Sequence, residues 1–146
     1  MPEFRTSIDI DATPETVFAY LVTTDGMLSW MGDRAVLDAR PDGLFEVDIA
    51  GYPIRGQYLE VEPPHRVTVS WGIAGSDDLP PGCSRVTFAL TAIASGTRVE
   101  VLHTDLPKQR AAGHAVGWRH FLDRLARAAT GHPTGIDSWT PPHAEP

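Results

Sequence analysis

Phe4, Thr6, Ile8 and Ile10 alternate with Arg5, Ser7, Asp9 and Asp11, the period-2 pattern of a strand with one buried face. Ala12-Thr13-Pro14-Glu15 follows. Thr13 is placed to cap a helix, Pro14 fits the first helical position, and Glu15 sits at the positive end of the helix dipole. The spacing predicts a helix to about Leu21 that buries Val17, Phe18 and Leu21. A second short helix is predicted from Asp25 to Trp30, ending before Gly32.

From there to about residue 106 the pattern is that of an antiparallel meander. Phe45, Val47 and Ile49 alternate with Glu46 and Asp48, and Gly51-Tyr52-Pro53 is predicted to turn the chain into a strand over Ile54–Val61. Tyr58 is in phase with Ile54 whereas Leu59 and Val61 are not, a conflict that a β-bulge would resolve. Pro63-Pro64 removes two backbone donors and ends the pairing. Val67, Val69 and Trp71 share the next inward face. A Gly/Asp/Pro-rich loop over Gly72–Gly82 leads to Val86, Phe88 and Leu90. Ser95-Gly96 is a hairpin signal, and the last strand sets Val99, Val101 and His103 on one side.

Trp118, Phe121, Leu122, Leu125, Ala126 and Ala129 fall on one stripe of an α-helix predicted over about Gln109–Thr130. Arg119, Asp123 and Arg127 lie at i,i+4 spacing on a polar flank, and Gly131 supplies a left-handed stop. Residues 132–146 contain four prolines and two histidines with almost no apolar pattern. They are expected to form a flexible C-terminal tail, with Trp139 as a residue able to pin it to a single domain over 1–131.

Composition narrows the function. The 146 residues carry a net charge of -7, and 11 of the 12 basic residues are Arg. No concentrated basic surface is evident, so no nucleic-acid partner is expected. No run approaches the ~20 apolar residues of a membrane span, and MPEFRTSIDI lacks the basic-then-apolar order of a signal peptide. Cys83 is the single cysteine, which excludes an intramolecular disulfide and makes a cytoplasmic location the expectation.

The order of elements, with GQYLEVEPPHRV from Gly56 to Val67, Trp71, Gly96-Thr97-Arg98-Val99, His103-Thr104-Asp105-Leu106-Pro107, His114 and Gly117-Trp118, resembles the START/Bet v-like (SRPBCC) helix-grip superfamily. More specifically it is similar to bacterial proteins related to the activator of heat-shock-protein ATPase. The resemblance implies an α+β fold, in which a curved antiparallel sheet wraps around a long C-terminal helix, with two short helices after the first strand. It also implies a cavity between sheet and helix. Members of the superfamily variously bind small apolar molecules, act as polyketide cyclases or dehydratases, or serve as co-chaperone modules. The eukaryotic co-chaperones carry an N-terminal domain that has no counterpart in these residues, so a chaperone partner is not favoured.

Such a cavity would be lined by Phe45, Val47, Tyr58, Trp71, Phe88, Val101, His103, His114, Trp118 and Phe121, with Trp30 as a lid and Gly117 leaving space beside Trp118. The bland alternative is that these aromatics fill a solid core. His103 and His114 are the candidate catalytic groups, since an imidazole near neutral pKa can serve as general acid or base or can orient a ligand; the bland alternative is that each ring is hydrogen-bonded and structural. Asp105, in phase with His103, is the group that would orient it if the strand extends that far; the alternative is that it lies in the loop beyond. No metal site is expected, because the histidines at 65, 103, 114, 120, 132 and 143 include no H-x-x-x-H pair. No cofactor is implied, for no G-x-G-x-x-G or G-x-x-x-x-G-K-[ST] occurs, and neither does G-x-S-x-G.

The leading expectation is therefore binding of a small, largely apolar molecule. A histidine-dependent cyclase or dehydratase and a chaperone-activator-like interaction module are the alternatives, and assembly as a homodimer is left open.

Overall fold

Thr13 caps the first helix as its position suggested: its Oγ1 accepts from the Thr16 backbone N–H at 3.2 Å, and the helix runs Pro14–Val22 (α1). In this computed structural model, which describes residues 3–132, 134, 135 and 137, α1 follows strand β1, Glu3–Ile10. Helix α2 covers Thr24–Leu28, shorter than its pattern suggested, with Thr23 as its cap. The strands are β2 Arg34–Leu37, β3 Leu44–Ile49, β4 Tyr52–Glu62, β5 Arg66–Trp71, β6 Ser84–Ile93 and β7 Gly96–Thr104. Helix α3 spans the 22 residues Lys108–Ala129.

The seven strands form one curved antiparallel sheet in the order β1-β7-β6-β5-β4-β3-β2. β1 reaches the far side of the meander and pairs with β7, Phe4 opposite His103 and Ile8 opposite Val99. The phase conflict in β4 is resolved by a register shift between Tyr58 and Glu60. Tyr58 stays buried with Ile54, while Val61 comes back into register opposite Val67. The hairpin between β3 and β4 is tighter than the sequence suggested. Ala50 and Gly51, at φ 51 and 86, form the two-residue turn, and Tyr52 and Pro53 already belong to β4. β2 was not singled out by pattern because it is four residues long with Arg34 and Val36 exposed.

The core lies between the inner face of the sheet and one side of α3. Val99, Val101 and His103 are all fully buried from β7, and Trp118, Phe121, Leu122, Leu125 and Ala129 face them from α3. Two aromatic side chains close the orphan carbonyls at the end of α1. Tyr58 Oη donates to Leu21 O at 3.0 Å, and Trp30 Nε1 donates to Tyr20 O at 2.9 Å. At its C-terminus α3 stops on Gly131 at φ 81. There Gly131 N–H donates to Ala128 O and His132 N–H to Arg127 O, the paired bonds of a Schellman motif.

Candidate functional site

α3 carries Gly113 and Gly117 one turn apart, on the face that looks toward β3, β4 and β5. Without side chains there, the helix cannot fill the concave side of the sheet. A Cβ built on Gly113 would meet nothing within 4 Å. The space left is a half-open cleft of about 110 Å³. Ile49, Ile54, Trp71 and Ile73 form its sheet side, and Trp118 and Phe121 flank the glycines on the helix side, with Met31 at one end. Gln109 is its exposed lining residue and marks the mouth, and Tyr52, Arg110, Gly113 and His114 are half-buried.

Within this wall and just behind it four rings interlock. Trp71 and Trp118 are tilted on each other at 5.3 Å between centroids, and His103 meets His114 edge to face at 5.1 Å. Trp118 Nε1 donates to His103 Nδ1 at 3.1 Å. An indole is only a donor, so that imidazole nitrogen carries no proton and Nε2 does. His103 Nε2–H then donates to Ser84 Oγ at 2.9 Å, and Ser84 Oγ donates to Trp71 O at 2.8 Å. Trp71 Nε1 donates to His114 Nε2 at 3.2 Å, which puts the His114 proton on Nδ1, directed at Arg110 O at 3.0 Å. Each histidine is thus held as a neutral, single tautomer by a tryptophan. Burial pushes both below the ordinary imidazole pKa, His103 far below, with the neighbouring His114 acting in the same direction.

The loop between β5 and β6 is fastened to the first turn of α3 by Asp78. Its carboxylate accepts from Arg110 Nε and Nη2, both at 2.9 Å, from Gln109 Nε2 at 3.1 Å and from Ser76 Oγ at 2.8 Å. The Arg110 guanidinium, with help from Ser76, holds that carboxyl well below the usual carboxylate range.

Of the residues singled out by sequence, Trp71, His114, Gly117, Trp118 and Phe121 stand on the cleft wall. Trp30, Phe45, Val47, Tyr58, Phe88 and Val101 do not; all are buried in the packed core. Trp30 is no lid. It packs edge-on against Phe88 and is tied to α1. Phe45 packs against both Tyr58 and Trp71, so the Trp71 ring separates it from the cleft. His103 lies one layer behind the wall with both nitrogens engaged, and Asp105 does not orient it: Asp105 is exposed at φ 64 beyond the strand, and Ser84 takes that role. Met31, Ile49, Tyr52, Ile54, Ile73, Gln109, Arg110 and Gly113 also line the cleft without being predicted from the sequence; for Gly113 the G-x-x-x-G spacing with Gly117 is the available signal. His143 and Trp139 lie outside the described residues. Among the described residues, no three His, Cys, Asp or Glu side chains cluster as metal ligands would, and no helix is long and apolar enough to cross a membrane.

A long helix held in the concave side of one antiparallel sheet, with a cleft left between them, defines a helix-grip protein. More narrowly, the chain belongs to the activator of Hsp90 ATPase homolog 1-like family, whose sequence model matches residues 11–130. It is similar to the AHSA1-like protein of Rhizobium etli, known from a solution NMR structure, with 34% identity, 99% of this chain and 91% of that one covered, and a TM-score of 0.74. CalU16 of Micromonospora echinospora shares 27% identity over 91% of this chain and 76% of its own, with a TM-score of 0.71. The Aha1 dimer of Colwellia psychrerythraea shares the fold at 22% identity, covering 88% of this chain and 96% of that one, with a TM-score of 0.77. No curated protein matches the chain.

Proposed function

We propose that this protein binds a small, largely apolar molecule in the cleft between β3–β5 and the N-terminal half of α3, within a domain formed by residues 1–131. The observation that carries the reading is the cleft itself: a cavity lined largely by isoleucine and aromatic side chains, with two helical glycines in its lining and open space at Gly113. Burial at ~25 cal/mol per Å² of apolar surface supplies the affinity. At about 110 Å³ the space is smaller than a drug-sized pocket. It is of the order of the ~150 Å³ engineered cavity that accepts benzene, so it suits one ring or a short branched chain.

Toluene is the first probe, titrated by calorimetry against the native protein and Gly113→Leu. A Cβ at position 113 meets nothing within 4 Å, and leucine is the better helix former by roughly 0.5–1 kcal/mol. The variant is expected to fold at least as stably and to bind toluene at least tenfold more weakly. Equal binding by a folded Gly113→Leu protein would remove the cleft from the function.

The cyclase or dehydratase reading finds no support in the geometry, because both nitrogens of His103 and of His114 are already committed to protein partners. The family relation supports a second reading, an interaction module for a chaperone ATPase, and the dimeric Colwellia relative supports a homodimer. Retention of the host chaperone by the native protein and by Gly113→Leu alike would favour that module. The exposed free thiol of Cys83 fits a reducing, cytoplasmic setting.

A further inference from the structure

Among the described residues, Trp71 and Trp118 carry the only side-chain nitrogen or oxygen atoms of the buried part of the cleft lining, half-buried His114 stands beside them, and the ring nitrogens of all three are matched to protein partners. The Trp71 N–H is taken by His114, the remaining His114 nitrogen by the Arg110 carbonyl, and the Trp118 N–H by His103. Ile49, Ile54, Ile73 and Phe121 contribute hydrocarbon alone. Among the described residues no buried side-chain nitrogen or oxygen lacks a partner. The other polar side chains that line the space are Tyr52 and Arg110, both half-buried, and Gln109, which is exposed.

Resting on the reading that the cleft takes a small molecule, we propose that His114 is a specificity-determining residue. By occupying the Trp71 N–H it makes the inner end of the cleft blind to hydrogen-bonding groups. The ligand class that follows is an amphipathic molecule whose inserted end is bare hydrocarbon, one ring or a short branched chain in size, with its polar part left at the mouth. A hydroxyl or carbonyl carried inward loses its water and finds no partner, which a purely apolar wall penalises by about ten- to a hundredfold in affinity. The pair is also reciprocal. Removing His114 leaves an unpaired indole donor, and removing the Trp71 indole leaves an unpaired imidazole acceptor.

The test uses the 4-methylphenyl, 4-hydroxyphenyl and 4-formylphenyl glucosides, whose sugar stays in water so that the para group leads inward. Calorimetric titration of the native protein is expected to show the methyl compound binding at least tenfold tighter than the other two. In His114→Phe the formyl compound, an acceptor, should gain at least fivefold relative to methyl. In Trp71→Phe the hydroxyl compound, a donor, should gain by a similar factor, and this second variant carries the test if the first does not fold. A native protein that binds the hydroxyl or formyl compound as tightly as the methyl one, or variants with unchanged rank order, overturns the proposal while leaving toluene binding intact. Loss of all three glucosides with toluene still bound also overturns it, since the open mouth would then be closed to a polar tail. Failure of toluene itself overturns the binding reading, and this inference with it.

Discussion

Trp118 on α3 and His103 on β7 are joined by a buried hydrogen bond of 3.1 Å, the indole donating to Nδ1. That bond is the polar rivet between the gripping sheet and the gripped helix, and Ser84 extends it through His103 Nε2 to the Trp71 carbonyl. Its value lies less in the bond than in what its loss leaves behind. His103→Leu would bury an indole N–H and the Ser84 hydroxyl with altered or missing partners, a cost on the order of 3 kcal/mol. Urea denaturation of the variant measures this directly. A loss below about 1 kcal/mol would mean that both groups find new partners.

Stability should fall on mild acidification. His103 and His114 have folded pKa values below their ordinary value, so the unfolded chain binds protons first as pH drops. Their contribution is complete above the unfolded pKa of about 6.5 and declines below it, by up to about 1.4 kcal/mol per pH unit for each histidine. Urea midpoints taken between pH 7.5 and 5 should trace this decline. His114→Phe should make it shallower; a slope unaffected by that variant would assign the decline to other groups.

The Asp78–Arg110 pair is expected to govern the β5–β6 loop. Asp78→Asn keeps the size of the side chain while removing the charge that gathers Arg110, Gln109 and Ser76. Amide exchange of Ile73, whose N–H donates to Leu79 O at 2.7 Å, and of Leu79, whose N–H donates to Ser76 Oγ at 3.1 Å, should accelerate in this variant. Amides at the centre of β6 should not change. Equal exchange at Ile73 and Leu79 in both proteins would show that the loop is held by its backbone and by buried Leu79 instead.

Arg124 fastens the segment beyond α3. Its guanidinium donates to the carbonyls of Thr134 and Gly135, both at 3.0 Å, and to Trp30 O at 3.3 Å, and it lies 3.7 Å from the Asp137 carboxylate. Four acceptors around one planar group require the fork geometry that lysine lacks. Arg124→Lys and Arg124→Ala should therefore both speed proteinase K cleavage within 132–137, the alanine variant more. Cleavage at the native rate in both would show that Thr134 Oγ1 on Ser29 O and Asp137 on His120 suffice to hold the segment.

Periodicity and capping made much of this architecture readable in one dimension. Thr13-Pro14, the stripe from Trp118 to Ala129, the Gly131 stop and the inward phase of Val99, Val101 and His103 each depend on neighbours within a turn or a pleat. A repeat in side-chain direction is a property of local backbone geometry, so it survives without knowledge of the partner surface. The family resemblance, drawn from motifs spread along the body, likewise anticipated the helix-grip fold.

Tertiary structure alone decided which inward side chains meet one another and which meet empty space. Phe45, Val101 and Trp71 all point inward by phase, yet only Trp71 borders the cleft, because a cavity is the mismatch between two curved surfaces contributed by distant segments. The histidines show the same limit. Sequence marked both as buried and titratable, but whether their nitrogens were available depended on indole donors far along the chain, Trp118 15 positions after His103 and Trp71 43 positions before His114. Hydrogen-bond partnership is a matter of angstroms across the fold, and no local pattern of residues encodes it.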